Sequence, residues 1–330
     1  MTYEKVQKYQ EEQHKENSYI TILGLHKKLP IQDAWIKLNI LTEEELKRKQ
    51  TETQWDFLNQ YDEYSGRRSG KTYDAETLVI EPGNKVVLAG PGMGKSTLCK
   101  KLFLQAGAMN KFAIKVRLWD VAGYMREGVA FEIALCKAMC QSLAVEFTKA
   151  ELAHFFSIII LDGLDECGDY RRTVAKSIAA WGYGHPYQMI IVTSRPIGYD
   201  LTELADYNHY QILPMDEWQM ESSSQKLMEL VQQDCEKQYQ WFRKRLQNYE
   251  LHKLACRSPL VLGFMVQLSL QKKDFGNSKI SLYQEIVNEW LQGSSRDNEK
   301  IISEVELLYG IEAIAFYMMS HVSDEAREVY

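Results

Sequence analysis

The sequence predicts an α/β protein, a parallel sheet with helices on both sides, followed by an all-helical region. Apolar runs at 85–89, 112–118, 157–161, 189–192 and 210–213 alternate with helical patterns, as βα units do. The runs at 157–161 and 189–192 are apolar nearly throughout, which suits strands covered on both faces. Past Pro214 no strand pattern recurs.

In chain order, residues 1–18 are charged and helical in character. Residues 19–40 read as extended, with Ile20, Ile22 and Leu23 ahead of Leu29 and Pro30, then Trp35, Ile36, Leu38 and Ile40. Thr42 before Glu43, Glu44 and Glu45 has the chemistry of a helix start, and that helix is predicted to run to about residue 61. Residues 64–73, polar and rich in small side chains, read as a connection. After the run at 85–89, Leu98, Cys99, Leu102, Phe103 and Ala106 mark one helix face. Phe112, Ile114, Val116 and Leu118 alternate as a half-buried strand does. A helix is predicted over 131–144 and another before 189. Beyond the last strand the pattern gives a long polar helix over 216–248, then shorter apolar helices at 251–257, 259–270, 280–292 and 300–321.

The 330 residues allow two or three packed units. A net charge of −6 argues against a basic nucleic-acid surface covering the chain. The 7 tryptophans and 19 tyrosines are scattered without an interleaved basic stripe, so they read as packing residues. The start is polar and resembles neither a signal peptide nor an anchor, and no apolar run approaches the roughly 20 residues that cross a bilayer. Six cysteines in a chain of this length do not form a disulfide framework. Cys136 and Cys140 lack two further ligands for a metal, so reduced thiols and a cytoplasmic setting are expected.

The chemistry is concentrated at Ala89-Gly90-Pro91-Gly92-Met93-Gly94-Lys95-Ser96-Thr97. A triphosphate needs several main-chain N–H groups turned toward it, which a glycine-rich turn permits, and the next helix adds its N-terminal dipole. In this reading residues 90–97 bind nucleotide. Lys95 meets the β- and γ-phosphates, and the Ser96 hydroxyl ligates magnesium. Ala89 stands where the motif usually begins with glycine. A second match, Ser65 to Thr72, has no apolar strand before it and reads as a basic surface loop.

The run at 157–161 ends in Asp162-Gly163-Leu164-Asp165-Glu166. A strand tip places Asp162 at the metal side of the phosphates, where it holds magnesium through a water. Glu166 is expected to be the base for the attacking water, with Asp165 as its partner or a metal-shell ligand. The run at 189–192 leads into Thr193-Ser194-Arg195-Pro196. Strand carboxyl ends share one rim of a parallel sheet, so Thr193 and Arg195 belong near the nucleotide, with Arg195 catalytic through γ-phosphate charge.

Together these motifs resemble the NACHT family of STAND-class signalling ATPases, bacterial type. Asp162-Gly163-Leu164-Asp165-Glu166 is the specific mark, and Thr193-Ser194-Arg195 resembles the family's first sensor. The run 210–215 is similar to the strand leaving its nucleotide domain. Ser258-Pro259-Leu260-Val261-Leu262 resembles the helical-domain motif whose proline, here Pro259, packs near adenine. Leu282, Tyr283 and Trp290 fit the helix after it. The resemblance implies a three-layer P-loop NTPase with strand order 5-1-4-3-2, binding ATP or ADP with Mg2+. It implies a lead-in at 1–75, a nucleotide-binding domain at 76–215, a helical domain at 216–270 and the start of a winged-helix domain at 271–330. It further implies slow hydrolysis, closure on ADP, opening and self-oligomerisation on ATP, and a role in antiphage defence, with trigger and effector unspecified. Such a chain would be a truncated member, stopping inside the winged helix and lacking an effector before residue 19. His321 lacks the motif that surrounds the family's phosphate-sensing histidine. The competing expectation is a constitutive P-loop ATPase or a kinase-type enzyme.

Overall fold

The computed structural model describes residues 2–22, 27–42, 72–141, 145–196, 199–294, 309, 310 and 313. The helix predicted from Thr42, the upstream glycine-rich match as far as Lys71, most of the helix predicted at 300–321, and His321 lie outside these residues.

Helix α1 (Thr2–Asn17) leads into a hairpin of β1 (Tyr19–Thr21) and β2 (Lys28–Pro30), the short α2 (Ile31–Ala34), and β3 (Asn39–Thr42). β4 (Tyr73–Asp74) and a 3-10 turn (Ala75–Val79) precede β5 (Lys85–Leu88). Next come α3 (Lys95–Ala108), β6 (Ala113–Arg117), α4 (Leu118–Arg126), α5 (Phe131–Cys140), α6 (Lys149–Phe155) and β7 (Ile158–Asp162). A second 3-10 stretch (Leu164–Tyr170) and α7 (Arg171–Gly184) lead to β8 (Met189–Ser194) and β9 (Asn208–Ile212). The helical region comprises α8 (Glu217–Val231), α9 (Glu236–Arg245), α10 (Tyr249–Arg257), α11 (Pro259–Leu270) and α12 (Lys279–Ser294).

One sheet runs β4-β3-β9-β5-β8-β7-β6. Its five parallel strands, β9-β5-β8-β7-β6, stand in the order 5-1-4-3-2 when counted among themselves. The three-layer P-loop fold and the helical region after it are therefore as expected, and β8 lies between the phosphate-loop strand and the Asp162 strand. The sheet is not parallel throughout. β3 pairs antiparallel with both β9 and β4, which covers the β9 edge with the buried Ile40 and Leu41. Tyr73, expected in a connection, is thereby a strand residue opposite Ile40.

Two cores flank the sheet, in keeping with its alternating side chains. Val86, Ile114, Ile159, Leu161 and Val192 face α4, α5 and α7; Val87, Ile158, Ile160 and Ile191 face α3. A third core, including Met228, Phe242, Leu262, Met265 and Phe275, fills the helical region. The first 42 residues contribute to all three: Val6 and Tyr9 to the first, Leu38 and Ile40 to the second, Leu29 and Ala34 to the third. The polar helix predicted over 216–248 is two helices, parted where Asp234 takes φ +60°, a conformation aspartate tolerates better than most residues. All six cysteines are free thiols. Burial pushes the Cys136 thiol up to about 11. Among the described residues no helix is long and apolar enough to cross a membrane.

Candidate nucleotide site

The phosphate loop is rooted in the sheet at Ala89, whose N–H donates to the Ser194 carbonyl at the end of β8 (3.1 Å). The chain turns through Gly92 (φ +72°) and Gly94 (φ +89°), with Met93 buried beneath them. Gly94 caps α3 without a side-chain bond, and the first hydrogen bond of the helix runs from Leu98 N–H to the Gly94 carbonyl (2.8 Å). The N–H groups of Lys95, Ser96 and Thr97 thus belong to the helix end that has no intrahelical acceptors, the arrangement that receives an anion. Ser96 is exposed on this first turn, beside the half-buried Thr97. The Lys95 ammonium donates to the Ala89 carbonyl (2.9 Å). Burial lowers its pKa; Asp165, Asp162 and Glu166 oppose that shift and Arg195 adds to it. Those four charges therefore lie within electrostatic reach of Lys95.

Across the loop, β7 ends on the buried Asp162. Gly163 then takes φ +82°, and a Cβ there would lie 3.0 Å from Glu166 Cδ. Glycine is needed because the chain turns so sharply that Glu166 folds back over the turn, its N–H donating to the Gly163 carbonyl (3.1 Å). The small residue after the acid was legible in the sequence; its purpose is this return. Partial desolvation raises the pKa of the exposed Glu166, and Asp165 and Asp162 raise it further. Thr193 Oγ1 donates to Asp162 Oδ1 (2.6 Å) and accepts the Gly163 N–H (3.0 Å).

Arg195 is clamped on Asp165: its main-chain N–H donates to Oδ1 and its Nε forms an ion pair with Oδ2, both at 3.0 Å. Asp165 thus holds Arg195 through both main chain and side chain. Arg171 and Arg172 both reach Glu203, at 3.1 and 3.8 Å.

The helical region touches the loop directly. The Ser258 hydroxyl (3.1 Å) and the Leu260 N–H (3.3 Å) both donate to the Gly92 carbonyl, and Pro259 sits between them as the first residue of α11. Pro259 was expected at the adenine, and Ser258 was not expected to be a loop contact. Its one signal was a serine just before a helix-starting proline, and that marks a cap wherever it occurs.

The donor set fits a magnesium nucleotide: a lysine ammonium, a helix N-terminus, a serine hydroxyl and a strand-end carboxylate. Among the described residues no group of three or more His, Cys, Asp or Glu is arranged to hold a metal. Magnesium here would have to share its ligands with phosphate, the usual mode for this ion.

The sequence matches no protein-family model and no curated protein. Among solved structures it is similar to domain III of the Thermotoga maritima replication initiation protein DnaA, at 13% identity and a TM-score of 0.41, covering 65% of this chain and 87% of that one. It is also similar to a DNA replication initiation factor, at 13% identity and a TM-score of 0.34, covering 66% of this chain and 58% of that one. The fold assignment rests on this chain's own strand order and phosphate loop.

Proposed function

We propose that the chain is an ATP-binding switch of the NACHT kind, hydrolysing ATP slowly with Mg2+, closed on ADP and open on ATP. The carrying observation is the pair of hydrogen bonds from Ser258 and Leu260 to Gly92, which join the helical region to the loop that would wrap the phosphates. A loop that shifts to fit a γ-phosphate must move the carbonyl on which both bonds end, so nucleotide state and helical position are coupled. In this reading residues 76–215 bind nucleotide, residues 216–270 report its state, and 271–330 begin a winged helix.

Residues 90–97 hold the phosphates, with Lys95 as the cation. Ser96 and Asp162 would hold Mg2+, which when bound offsets phosphate charge. Glu166, with its raised pKa, accepts the proton of the attacking water. Arg195 leaves Asp165 to meet γ-phosphate charge, and Pro259 lies at the adenine. The Arg195–Asp165 clamp favours slow turnover, because a charged hydrogen-bonded pair must part before the arginine can act. Self-oligomerisation and antiphage defence follow from the motif resemblance, and a cytoplasmic setting from the free thiols.

The test is steady-state hydrolysis by the purified chain, with sedimentation velocity in ADP and in a non-hydrolysable ATP analogue. Turnover well below about one per second, with a different sedimentation coefficient in the two nucleotides, is expected. Faster untriggered turnover with one unchanging coefficient would favour a constitutive ATPase or kinase-type enzyme.

A further inference from the structure

We propose that Thr193 is the positioning residue for magnesium: its hydroxyl fixes the Asp162 carboxylate through one oxygen and so aims the other at the metal side of the phosphate loop. The inference rests on the nucleotide-site reading above.

Thr193 is fully buried in β8, opposite Val87 of β5 and one residue beyond the rung that pairs Val192 with Leu161 of β7. It therefore stands between the root of the phosphate loop and the end of the acid strand. A hydroxyl has one proton and two lone pairs. Here the proton goes to Asp162 Oδ1 at 2.6 Å, the short length of a charge-assisted bond, and a lone pair takes the Gly163 N–H at 3.0 Å. With its proton committed to Asp162, Thr193 is not a donor to a γ-phosphate or an attacking water. It acts through the acid instead. The second bond holds the N–H of Gly163, so the same oxygen also steadies the turn that returns Glu166.

The other wall of this group is Cys99, one helical turn past Lys95 on α3. Its thiol is fully buried, and burial together with the nearby Asp162 charge raises its pKa. The Thr193 strand and the acid strand thus meet at the Thr193–Asp162 hydrogen bond, near the phosphate-loop helix. Val in place of Thr193 keeps the shape but removes the hydroxyl, leaving Gly163 N–H and Asp162 Oδ1 without this partner and the carboxylate free to rotate.

The experiment is binding of a fluorescent ATP analogue to the full chain, titrated with Mg2+ and repeated in EDTA, for wild type, Thr193→Val and Thr193→Ser. The expected result for Thr193→Val is a roughly 10-fold higher Mg2+ requirement at half-maximal binding, the size of one lost hydrogen bond to a charged group. Affinity in EDTA stays unchanged, and Thr193→Ser restores the wild-type Mg2+ curve. Should Thr193→Val not fold, Thr193→Ala is read the same way. A wild-type Mg2+ requirement in the valine or alanine variant overturns the proposal. So does an equal loss in EDTA, the mark of a purely structural role, or a serine variant as impaired as valine. Wild-type protein that binds no analogue under either condition overturns the nucleotide-site reading itself.

Discussion

At the scale of single residues, the site is a set of charges whose separate tasks follow from their surroundings. Asp162, Asp165 and Glu166 are close in sequence, yet each has a different partner. Asp162 is fixed by Thr193, Asp165 by Arg195, and Glu166, exposed at the surface, has its pKa raised by partial desolvation and by the two neighbouring acids. Glu166→Gln should keep nucleotide binding and lower hydrolysis by about 100-fold or more, the scale of a lost general base. The sign of its stability effect is also fixed. A carboxyl whose folded pKa lies above its unfolded one disfavours the native state as pH rises through that interval. The glutamine variant should therefore melt at neutral pH no lower than wild type, and wild-type hydrolysis should fall on acidification at a higher pH than an ordinary glutamate would give. Calorimetry and a pH–rate profile check both. The acids and the lysine were legible because their spacing is set by local geometry, a loop and a strand tip. The Thr193–Asp162 and Arg195–Asp165 bonds were not, since they join residues about thirty apart through strand adjacency.

At the scale of elements, the parallel strands declared themselves by continuous apolar runs, and the strand order follows once β8 is placed between β5 and β7. β3 and β4 were harder. β4 has two residues, and β3, though Ile40 lay in the stretch read as extended, takes its place in the sheet only by pairing with β9 and β4. The break at Asp234 was also hidden, because a polar helix and a polar break look alike in a hydrophobic pattern. The joint between α11 and the phosphate loop makes a sharper prediction. At Gly92 a Cβ would lie 2.6 Å from Ser258 Oγ, and φ is +72°. Gly92→Ala should cost about 1–2 kcal/mol from the left-handed backbone alone. It should also push α11 away, raising amide hydrogen exchange at 258–262 while 98–106 of α3 stays protected. Unchanged exchange at both segments would mean that the Ser258 and Leu260 contacts do not hold the helical region to the loop.

At the scale of the whole molecule, three cores are tied together by the segment ahead of the sheet. Val6 and Tyr9 pack with one face, Leu38 and Ile40 with the other, and Leu29 and Ala34 with the helical core. The pattern of residues 1–42 gave helical and extended stretches but not this division, because a period shows which face is apolar and not what covers it. The helical region is held both by the Ser258 and Leu260 bonds to Gly92 and by the lead-in residues Leu29 and Ala34. All of this depends on nucleotide entering between Lys95 and Asp162. The most direct measurement is equilibrium titration of wild type and Lys95→Ala with a fluorescent ATP analogue and Mg2+, with circular dichroism as the check on folding. Saturable binding to wild type, weakened about 10- to 100-fold in a folded Lys95→Ala variant, is the predicted result. Equal affinity in the two proteins, or no binding to wild type, would contradict it.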